Sequence, residues 1–144
     1  MDWRQFLFGF HGRIRRSEWW LSRLIIVGMA AVGFGAAFGL SALDSAVGKG
    51  MPEGEAIFGI AGLAFALLGL VGLGATLWIH LATCVKRLHD QDMTGWLVLV
   101  TVIPGIGPLF AFVVMGCLDS QPWTNKHGPS PKPGAAERVA GQFA

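Results

Sequence analysis

The residues of this 144-residue chain that could carry chemistry gather in two short clusters of charged and aromatic side chains. The first occupies residues 12–20 (GRIRRSEWW), and the second occupies residues 86–90 (KRLHD) and is followed by Gly95 and Trp96. Guanidinium forks bind carboxylates and phosphates through paired hydrogen bonds, and imidazole changes its charge near neutral pH. The candidate lipid, anion or structural polar cluster is therefore Arg13, Arg16, Glu18, Arg87, His89 and Asp90.

Three roles are open to these clusters. We expect Glu18 to pair with Arg87, and Asp90 to pair with Arg13 or Arg16. Anchoring to anionic lipid headgroups, at about 1 kcal/mol per basic residue, is the favoured role. A specific anion or ligand site between helix ends is the alternative. Catalysis has the least support, because no nucleophile or metal-ligand set accompanies the histidine.

The sequence lacks the motifs of common nucleotide-binding and hydrolytic proteins. Nucleotide-binding loops, a zinc-protease motif and a nucleophile elbow are all missing from the sequence. Cys84 and Cys117 form no CxxC pair, which favours two small buried hydrophobic side chains. We therefore predict no enzyme, no catalytic residue, no metal and no cofactor.

The composition indicates the environment in which the clusters lie. Hydrophobic residues make up 53% of the chain and charged residues only 14%, against about 25% charged in a soluble domain. The mean hydropathy of +0.54 excludes a disordered chain. A net charge of +2 offers no basic field for nucleic acid, so no nucleic-acid partner is predicted. The chain is predicted to be a membrane protein.

Three uncharged runs, residues 24–43, 56–85 and 96–118, are long enough for spans of about 20 residues. They lack the polar stripe of a soluble helix. The first run is too long for the core of a signal peptide, the alternative interpretation. The predicted fold class is an all-α, multi-pass transmembrane helical bundle within one domain, 1–131. Its spans lie at about 22–43, 58–80 and 96–118, before a disordered tail at 132–144.

The third run is interrupted by the sequence Pro104-Gly105-Ile106-Gly107-Pro108. Proline removes a helical hydrogen bond and clashes with the preceding turn, so this helix should kink or break. One alternative is a single kinked span, and the other is a re-entrant hairpin. Broken backbone at membrane depth must be satisfied by protein or water, so we expect the break to face the other helices.

The basic residues predict an orientation. Five lie before the first span (Arg4, Arg13, Arg15, Arg16, Arg23), one between the first two spans (Lys49), two after the second (Lys86, Arg87) and three in the tail (Lys126, Lys132, Arg138). The positive-inside rule places the N-terminus in the cytoplasm of a bacterial plasma membrane. A re-entrant third run would place the tail inside as well. Short halves of about 12–15 Å instead favour three full spans, with the tail outside.

Small and polar residues within the runs predict helix contacts. Gly35 and Gly39 share one face of the first span, and Gly62 and Gly69 share one face of the second. Such faces allow close helix approach in a bilayer, which favours packing of the two spans, with a homo-oligomer as the alternative. His80 is interpreted as a polar residue that contributes to packing, and a proton relay is the less favoured alternative.

The N-terminal segment has its own periodicity. Apolar residues recur at the helical spacing i, i+3, i+4 and i+7: Trp3, Phe6, Leu7 and Phe10. This pattern predicts a short amphipathic helix that lies on the membrane surface. Tryptophans near the span ends, among them Trp19, Trp20 and Trp96, are expected at the interface.

The two clusters and the proline break occur in an order that resembles a known family. The residues are Phe10, Gly12-Arg13, Arg16, Glu18-Trp19-Trp20, then Arg87-Leu88-His89-Asp90, Gly95-Trp96, and Ile103-Pro104 with Gly107. They resemble the small bacterial inner-membrane proteins of unknown function typified by YhaH and YhaI. The tail Asn125-x-x-Gly128-Pro129-x-Pro131 resembles their closing motif, with Ser120, Trp123 and His127 as departures. The resemblance implies a multi-pass plasma-membrane protein and implies no activity.

The sequence thus predicts an inner-membrane protein with a structural, regulatory, or partner- or lipid-binding role. Membrane lipids with anionic headgroups are the expected partners, together with a second copy or another membrane protein. A small transporter or channel subunit acting as an oligomer is the alternative.

Overall fold

The structure is a computed structural model that describes residues 2–47, 54–132 and 134–142, with side-chain surroundings given outside residues 44–61, 135 and 136. Its helices are α1 (Trp3–Phe8), α2 (Arg16–Val47), α3 (Gly54–Asp90), α4 (Ile106–Phe110) and α5 (Ala135–Gln142). A 3₁₀ helix at Gly95–Val102 precedes α4, and a π-helical segment at Ala111–Cys117 follows it. The described residues contain no strand, which confirms the all-α class.

The two long helices contain the first two predicted spans. Segments of 28 and 29 residues, Arg16–Leu43 and Gly62–Asp90, are long and apolar enough to cross a bilayer. Both helices run beyond the predicted limits of 22–43 and 58–80. The charged clusters continue the helices instead of interrupting them, because charged side chains at a helix end need not break its backbone hydrogen bonds.

Capping side chains fix where the first two helices begin. Asp2 accepts a hydrogen bond from the backbone N–H of Arg4 and starts α1, the predicted N-terminal helix. The Glu18 carboxylate accepts a bond from the N–H of Arg15 at 2.9 Å, which caps the first turn of α2. Glu18 therefore does not pair with Arg87 as expected, since its carboxylate is used at the start of its own helix.

The third apolar run is a broken segment rather than a long helix. Gly105 has a φ of +83°, and a side chain at Gly107 would overlap the carbonyl of Thr101. The 3₁₀ part spans about 16 Å and the part after the break about 18 Å, so neither crosses about 30 Å of hydrocarbon.

Both ends of the broken segment lie beside the last turns of α3. A side chain on Gly95 would come within 2.9 Å of Val85 Cγ1, and Arg87 donates to the carbonyl of Leu118. The segment therefore returns to the end of α3, which agrees with the hairpin alternative, and the number of membrane crossings stays a prediction. The close contacts at Gly95 and Gly107 allow this turn, which the lengths of the two halves did not indicate.

The chain divides into two compact units, Met1–Leu24 with Trp78–Ala144, and Ile25–Leu77. The first unit has a core that includes Ile14, Trp19, Ala82, Leu88 and Met115. Trp19 is only 4% exposed and packs in this core, whereas Trp96 is 78% exposed. The expected position of both at the membrane interface stays a prediction. In the described part of the second unit, large apolar side chains are exposed along both helices.

Two of the sequence-based expectations concern the loop between the first two spans and the C-terminal end of the chain. Lys49, in the predicted external loop, lies outside the described residues. Residues 135–142 form α5, a difference from the predicted disordered tail. This stretch, AAERVAGQ, is rich in helix-forming Ala, Glu, Arg and Gln. The prolines before it led to the expectation of a disordered tail.

Candidate functional site

Three charged side chains from two distant parts of the sequence meet inside the first unit. Asp90, at the end of α3, accepts from Arg13 Nε at 3.0 Å, lies 2.9 Å from Arg13 Nη2, and pairs with Arg87. The side chains of Arg87 and Asp90 are fully buried and that of Arg13 is 1% exposed. We call Arg13, Arg87 and Asp90 the buried ion cluster. The expected pairing of Asp90 with Arg13 is confirmed.

The remaining donors of Arg13 bind the tail segment, which we define as residues 118–132. Arg13 Nη1 donates to the carbonyls of Trp123 at 2.8 Å and Gly128 at 3.1 Å. Its Nη2 donates to the carbonyl of Gln121 at 2.8 Å. A planar guanidinium offers five donors in fixed directions, so one side chain ties the tail segment to the end of α3. Gly12, with a φ of +91°, shapes the turn that brings Arg13 here.

Arg87 holds the end of the re-entrant segment in the same manner. Its Nε donates to the carbonyl of Met115 at 2.8 Å, and another nitrogen donates to the carbonyl of Leu118. The last carbonyls of a helix have no partner within the helix, and a buried carbonyl without a partner is costly. Arg87 therefore satisfies the end of the π-helical segment while its charge is balanced by Asp90.

Neighbouring side chains hold other parts of the first unit. Lys86 Nζ donates to the carbonyls of Gln5, at 2.8 Å, and Phe6, and so fastens α1. Arg15 Nε donates to the carbonyl of Pro131 at 2.6 Å. Within the described chain, most of the basic residues of the two clusters therefore bind the protein's own backbone rather than pointing to solvent.

The six predicted cluster residues do not form one site. Arg13, Arg87 and Asp90 are brought together, whereas Glu18 caps α2. Arg16 is exposed, and its side chain makes no hydrogen bond with the described residues. His89 lies on another side of the end of α3, where its ring stacks on that of His127 with centroids 3.7 Å apart. The anion-site alternative is thus limited to side chains outside the buried ion cluster.

The stacked histidines are among the residues that line a cleft of about 600 Å³. Its apolar walls come from α3, the 3₁₀ helix and Phe10, and Lys126 lies beside the imidazoles. His89 Nδ1 and His127 Nε2 are both buried without a hydrogen-bond partner in the described structure. His127 and Lys126 were not predicted at this site, because no local sequence pattern indicates which tail residue stacks on His89.

Two tail residues have shifted pKa values with identifiable causes. Burial, reinforced by the positive charge of Lys126, lowers the pKa of His127 from its usual 6.5. The Lys132 ammonium, through its hydrogen bond, lowers the pKa of the exposed Asp119 carboxyl. The neutral form of His127 is thus favoured when the tail segment is in place.

Polar side chains also meet where α2 and α3 belong to the first unit. Arg23 contacts His80 Nδ1 and donates to Thr83 Oγ1 at 2.6 Å, and its guanidinium lies 5.1 Å from the ring centre of Trp19. His80 is thus a partner of Arg23, in keeping with a packing role. Cys84 is buried, as predicted, whereas Cys117, the last residue of the π-helical segment, is exposed, so the prediction is wrong for Cys117.

The predicted helix-packing glycines have no close neighbour in the described structure. A side chain added at Gly35, Gly39, Gly62 or Gly69 would meet no described atom within 4 Å. Tight glycine contacts occur instead at Gly107 and at Gly116, where an added Cβ would lie 3.0 Å from the Trp20 ring. Within the described structure the close contacts are thus at other glycines, and the role of the four predicted ones in helix packing stays a prediction.

Comparison with known sequences gives consistent matches over most of the chain. The family described as "Protein of unknown function (DUF805)" matches residues 7–129. Inner membrane protein YhaH of Escherichia coli K12 is 32% identical over 124 residues, covering 86% of this chain and 88% of YhaH. Inner membrane protein YhaI of the same strain is 33% identical over 127 residues, covering 88% and 89%. No solved structure matches.

Proposed function

We propose, from the premise that this chain belongs to the DUF805 family of proteins of unknown function, that it is a binding protein at the cytoplasmic surface of the membrane. In this proposal it is not an enzyme. Its named relatives are inner membrane proteins, and the helical chain is an inner membrane protein like them. The observation that carries the proposal is the buried ion cluster, whose donors bind the protein's own carbonyls.

A buried charge whose hydrogen bonds all go to the protein stabilises the fold and has no free group to offer a substrate. Removing a charge from water is costly, so the cluster persists only because each group has partners. Arg13 and Arg87 have their donors directed to protein oxygens, which leaves no fork for a substrate. Among the described residues no group of His, Cys, Asp or Glu has a metal-binding arrangement. These features favour a rigid binding unit over a catalytic one.

The proposed topology has two crossings, with both ends of the chain in the cytoplasm. The start of α2, the end of α3 and the tail segment belong to one compact unit, which supports a common side. On that side lie ten of the eleven basic residues, with Lys49 on the other. This distribution agrees with the positive-inside rule better than the three-span layout does.

Reporter fusions test the topology directly. Alkaline phosphatase fused after Ala144 should be inactive, and the same enzyme inserted after Lys49 should be active, because it folds only outside the cytoplasm. A fluorescent protein that matures in the cytoplasm should give the opposite pattern at both sites. Phosphatase activity after Ala144 would overturn the proposed topology.

Reconstitution tests the binding role against the transporter or channel alternative. Purified protein in liposomes should give no ion or solute flux above that of empty liposomes. Within residues 25–43 and 62–77, no described side chain is charged at neutral pH, so one chain offers no obvious ion path there. Substrate-dependent flux that requires the protein would refute the binding role, and lipid turnover would refute the non-enzymatic proposal.

A further inference from the structure

We propose that the cleft of the first unit binds one anionic glycerophospholipid, with its phosphate at His89, His127 and Lys126 and an acyl chain along the apolar walls. This proposal rests on the membrane-surface binding function and names the ligand and the site. It involves side chains outside the buried ion cluster.

The lining of the cleft combines the two kinds of group that an amphiphile needs. It includes two imidazoles and an ammonium group, from His89, His127 and Lys126. Most of the other lining side chains are apolar, among them Leu81, Val85, Val98 and Leu99. A volume of about 600 Å³ lies within the range of ligand clefts, about 300–1,000 Å³. A ligand that matches both kinds of group needs an oxyanion joined to a hydrocarbon chain.

The imidazole pair has two ring nitrogens, His89 Nδ1 and His127 Nε2, without a hydrogen-bond partner in the described structure, and each can donate to an oxyanion in the tautomer that places its proton there. The rings are parallel within 6° and 3.7 Å apart, and each carries a buried nitrogen with no partner in the described structure. Buried polar atoms nearly always have a hydrogen-bond partner. A phosphate has several oxygens that can each accept a hydrogen bond, so one phosphate can serve both rings.

Lys126 supplies the charge that selects an anion. The Lys126 side chain is 60% exposed, and its ammonium group lies 3.6 Å from Asp92 Oδ1 and donates to the Asp92 carbonyl at 3.2 Å. An exposed ion pair of this kind contributes little and is readily exchanged. Lys126 is thus able to turn toward a phosphate without loss of a buried partner.

The mouth of the cleft continues into apolar surface. Trp96 and Leu99 of the 3₁₀ helix are 78% and 58% exposed, and Leu81 of α3 is 37% exposed. Such side chains on a membrane protein contact acyl chains, and exposed tryptophan favours the headgroup boundary. A lipid is therefore able to enter from the bilayer, with only its headgroup and upper chain inside the cleft. This access favours a membrane phospholipid over a soluble anion.

A local glycine allows the cleft to form. The 3₁₀ helix begins at Gly95, where an added Cβ would lie 2.9 Å from Val85 Cγ1 and 3.3 Å from His89 Nε2. The backbone thus lies directly against α3 at this point. The side chains that follow, Trp96, Val98 and Leu99, form the wall opposite α3.

The test uses the full-length protein in nanodiscs of phosphatidylcholine that contain a photoactivatable phosphatidylglycerol. The double variant Lys126→Gln, His127→Phe removes the charge and one free ring nitrogen while an aromatic ring remains to stack on His89. Crosslinking to cleft peptides should fall about tenfold, because a hydrogen bond to a charged group contributes about a factor of ten or more. Leu99→Trp, which narrows the mouth without touching the tail segment, should also reduce crosslinking.

Arg16→Gln is the matched control, since it removes one exposed basic charge of the same unit that does not line the cleft. Its crosslinking should stay within about twofold of the unaltered protein, consistent with a surface charge of about 1 kcal/mol or less. An equal loss in Arg16→Gln and the double variant would overturn the proposal in favour of general attraction to anionic lipid. Unchanged crosslinking in Leu99→Trp and the double variant would also overturn it.

A competition arm separates two sources of the same chemistry. Unlabelled phosphatidylglycerol should displace the probe, whereas a free fatty acid of equal chain length should not. Displacement by the fatty acid alone would overturn the phospholipid assignment. The reporter and flux experiments do not depend on the cleft, so a negative lipid result with the expected topology and no flux overturns this inference only.

Discussion

The two compact units of this protein differ in the kinds of side chain that they bury and expose. In the first unit, Asp90 and Arg87 are fully buried and hydrogen-bonded. In the described part of the second, Val32, Phe34 and Leu68 are exposed by 74%, 79% and 68%. Exposed apolar side chains are costly in water but not among lipid tails. The comparison shows that polar bonding specifies the first unit, while apolar composition suits the second to lipid.

Glycine shows the same contrast. Gly107 and Gly116 of the first unit have described atoms where a side chain would lie, whereas Gly35 and Gly39 of the second have none within 4 Å. A glycine is required by packing only where another group occupies the space of its side chain. The predictions below alter these differences, from the largest expected effect to the smallest.

Asp90→Ala should have the largest effect on the first unit. It leaves the buried guanidinium groups of Arg13 and Arg87 without a counter-charge, which should lower the free energy of unfolding by about 3–5 kcal/mol. Denaturant unfolding in mixed micelles measures the loss. Asp92→Asn is the matched control: it removes the charge of an exposed pair with Lys126, and asparagine tolerates the left-handed φ of +58° at this position, so it should cost no more than about 1 kcal/mol. Equal losses would show that the buried ion cluster is not the main support.

Gly107→Ala should destabilise the re-entrant segment. The new methyl group would overlap the backbone of Thr101, and overpacking of this kind costs about 1–3 kcal/mol. Thermal unfolding in detergent measures the difference. Gly35→Ala places the same methyl group where no described atom lies within 4 Å, so it should cause no loss, and the higher helix propensity of alanine should raise stability by up to about 1 kcal/mol. A similar loss at Gly35 would reveal a contact made there by residues outside the described set or by a second chain.

Arg13→Lys should loosen the tail segment while keeping the charge near Asp90. Lysine has three donors on one nitrogen and cannot reach the carbonyls of Gln121 and Trp123 together with the carboxylate. Protease cleavage within residues 118–132 should rise about tenfold, as expected for loss of about 1.4 kcal/mol. Arg4→Lys serves as control, because the Arg4 side chain is exposed and away from these bonds. Unchanged cleavage in Arg13→Lys would contradict the role of the fork.

Acidification should weaken tail docking slightly. Burial lowers the pKa of His127, so the released tail binds a proton more tightly than the docked tail does. Docking is therefore strongest above about pH 6.5 and weakens as the pH falls below this value. The groups that face His127 are Lys126, Asp92, Arg13 and the ring of His89.

Hydrogen exchange of the Gly128 N–H, which bonds the carbonyl of Asn125 at 3.0 Å, reports this docking. Its protection should fall between pH 7.5 and 5, after correction for the intrinsic exchange rate. His127→Phe should reduce that pH dependence. A slope that is the same in the variant and the unaltered protein would assign the effect to another group.

Local pattern predicted the elements well and their contacts only in part. The helical spacing of Trp3 and Phe6, the apolar runs and the prolines at 104 and 108 each act within a few residues, so α1, α2, α3 and the break were all predictable. The Asp90–Arg13 pair was also expected from charge. The bonds from Arg13 to the tail carbonyls were not, because backbone carbonyls carry no sequence signal.

The division between sequence and tertiary structure follows from the range of the forces involved. The sequence by itself determined the membrane environment, the all-α class and the family, since these depend on composition, local hydrogen bonding and residue order. Only the tertiary structure decided that the third run turns back, that Glu18 caps a helix, and that His89 stacks on His127. Each of these outcomes is a contact between residues that are far apart in the sequence or a choice between competing partners, and local sequence patterns do not specify such contacts.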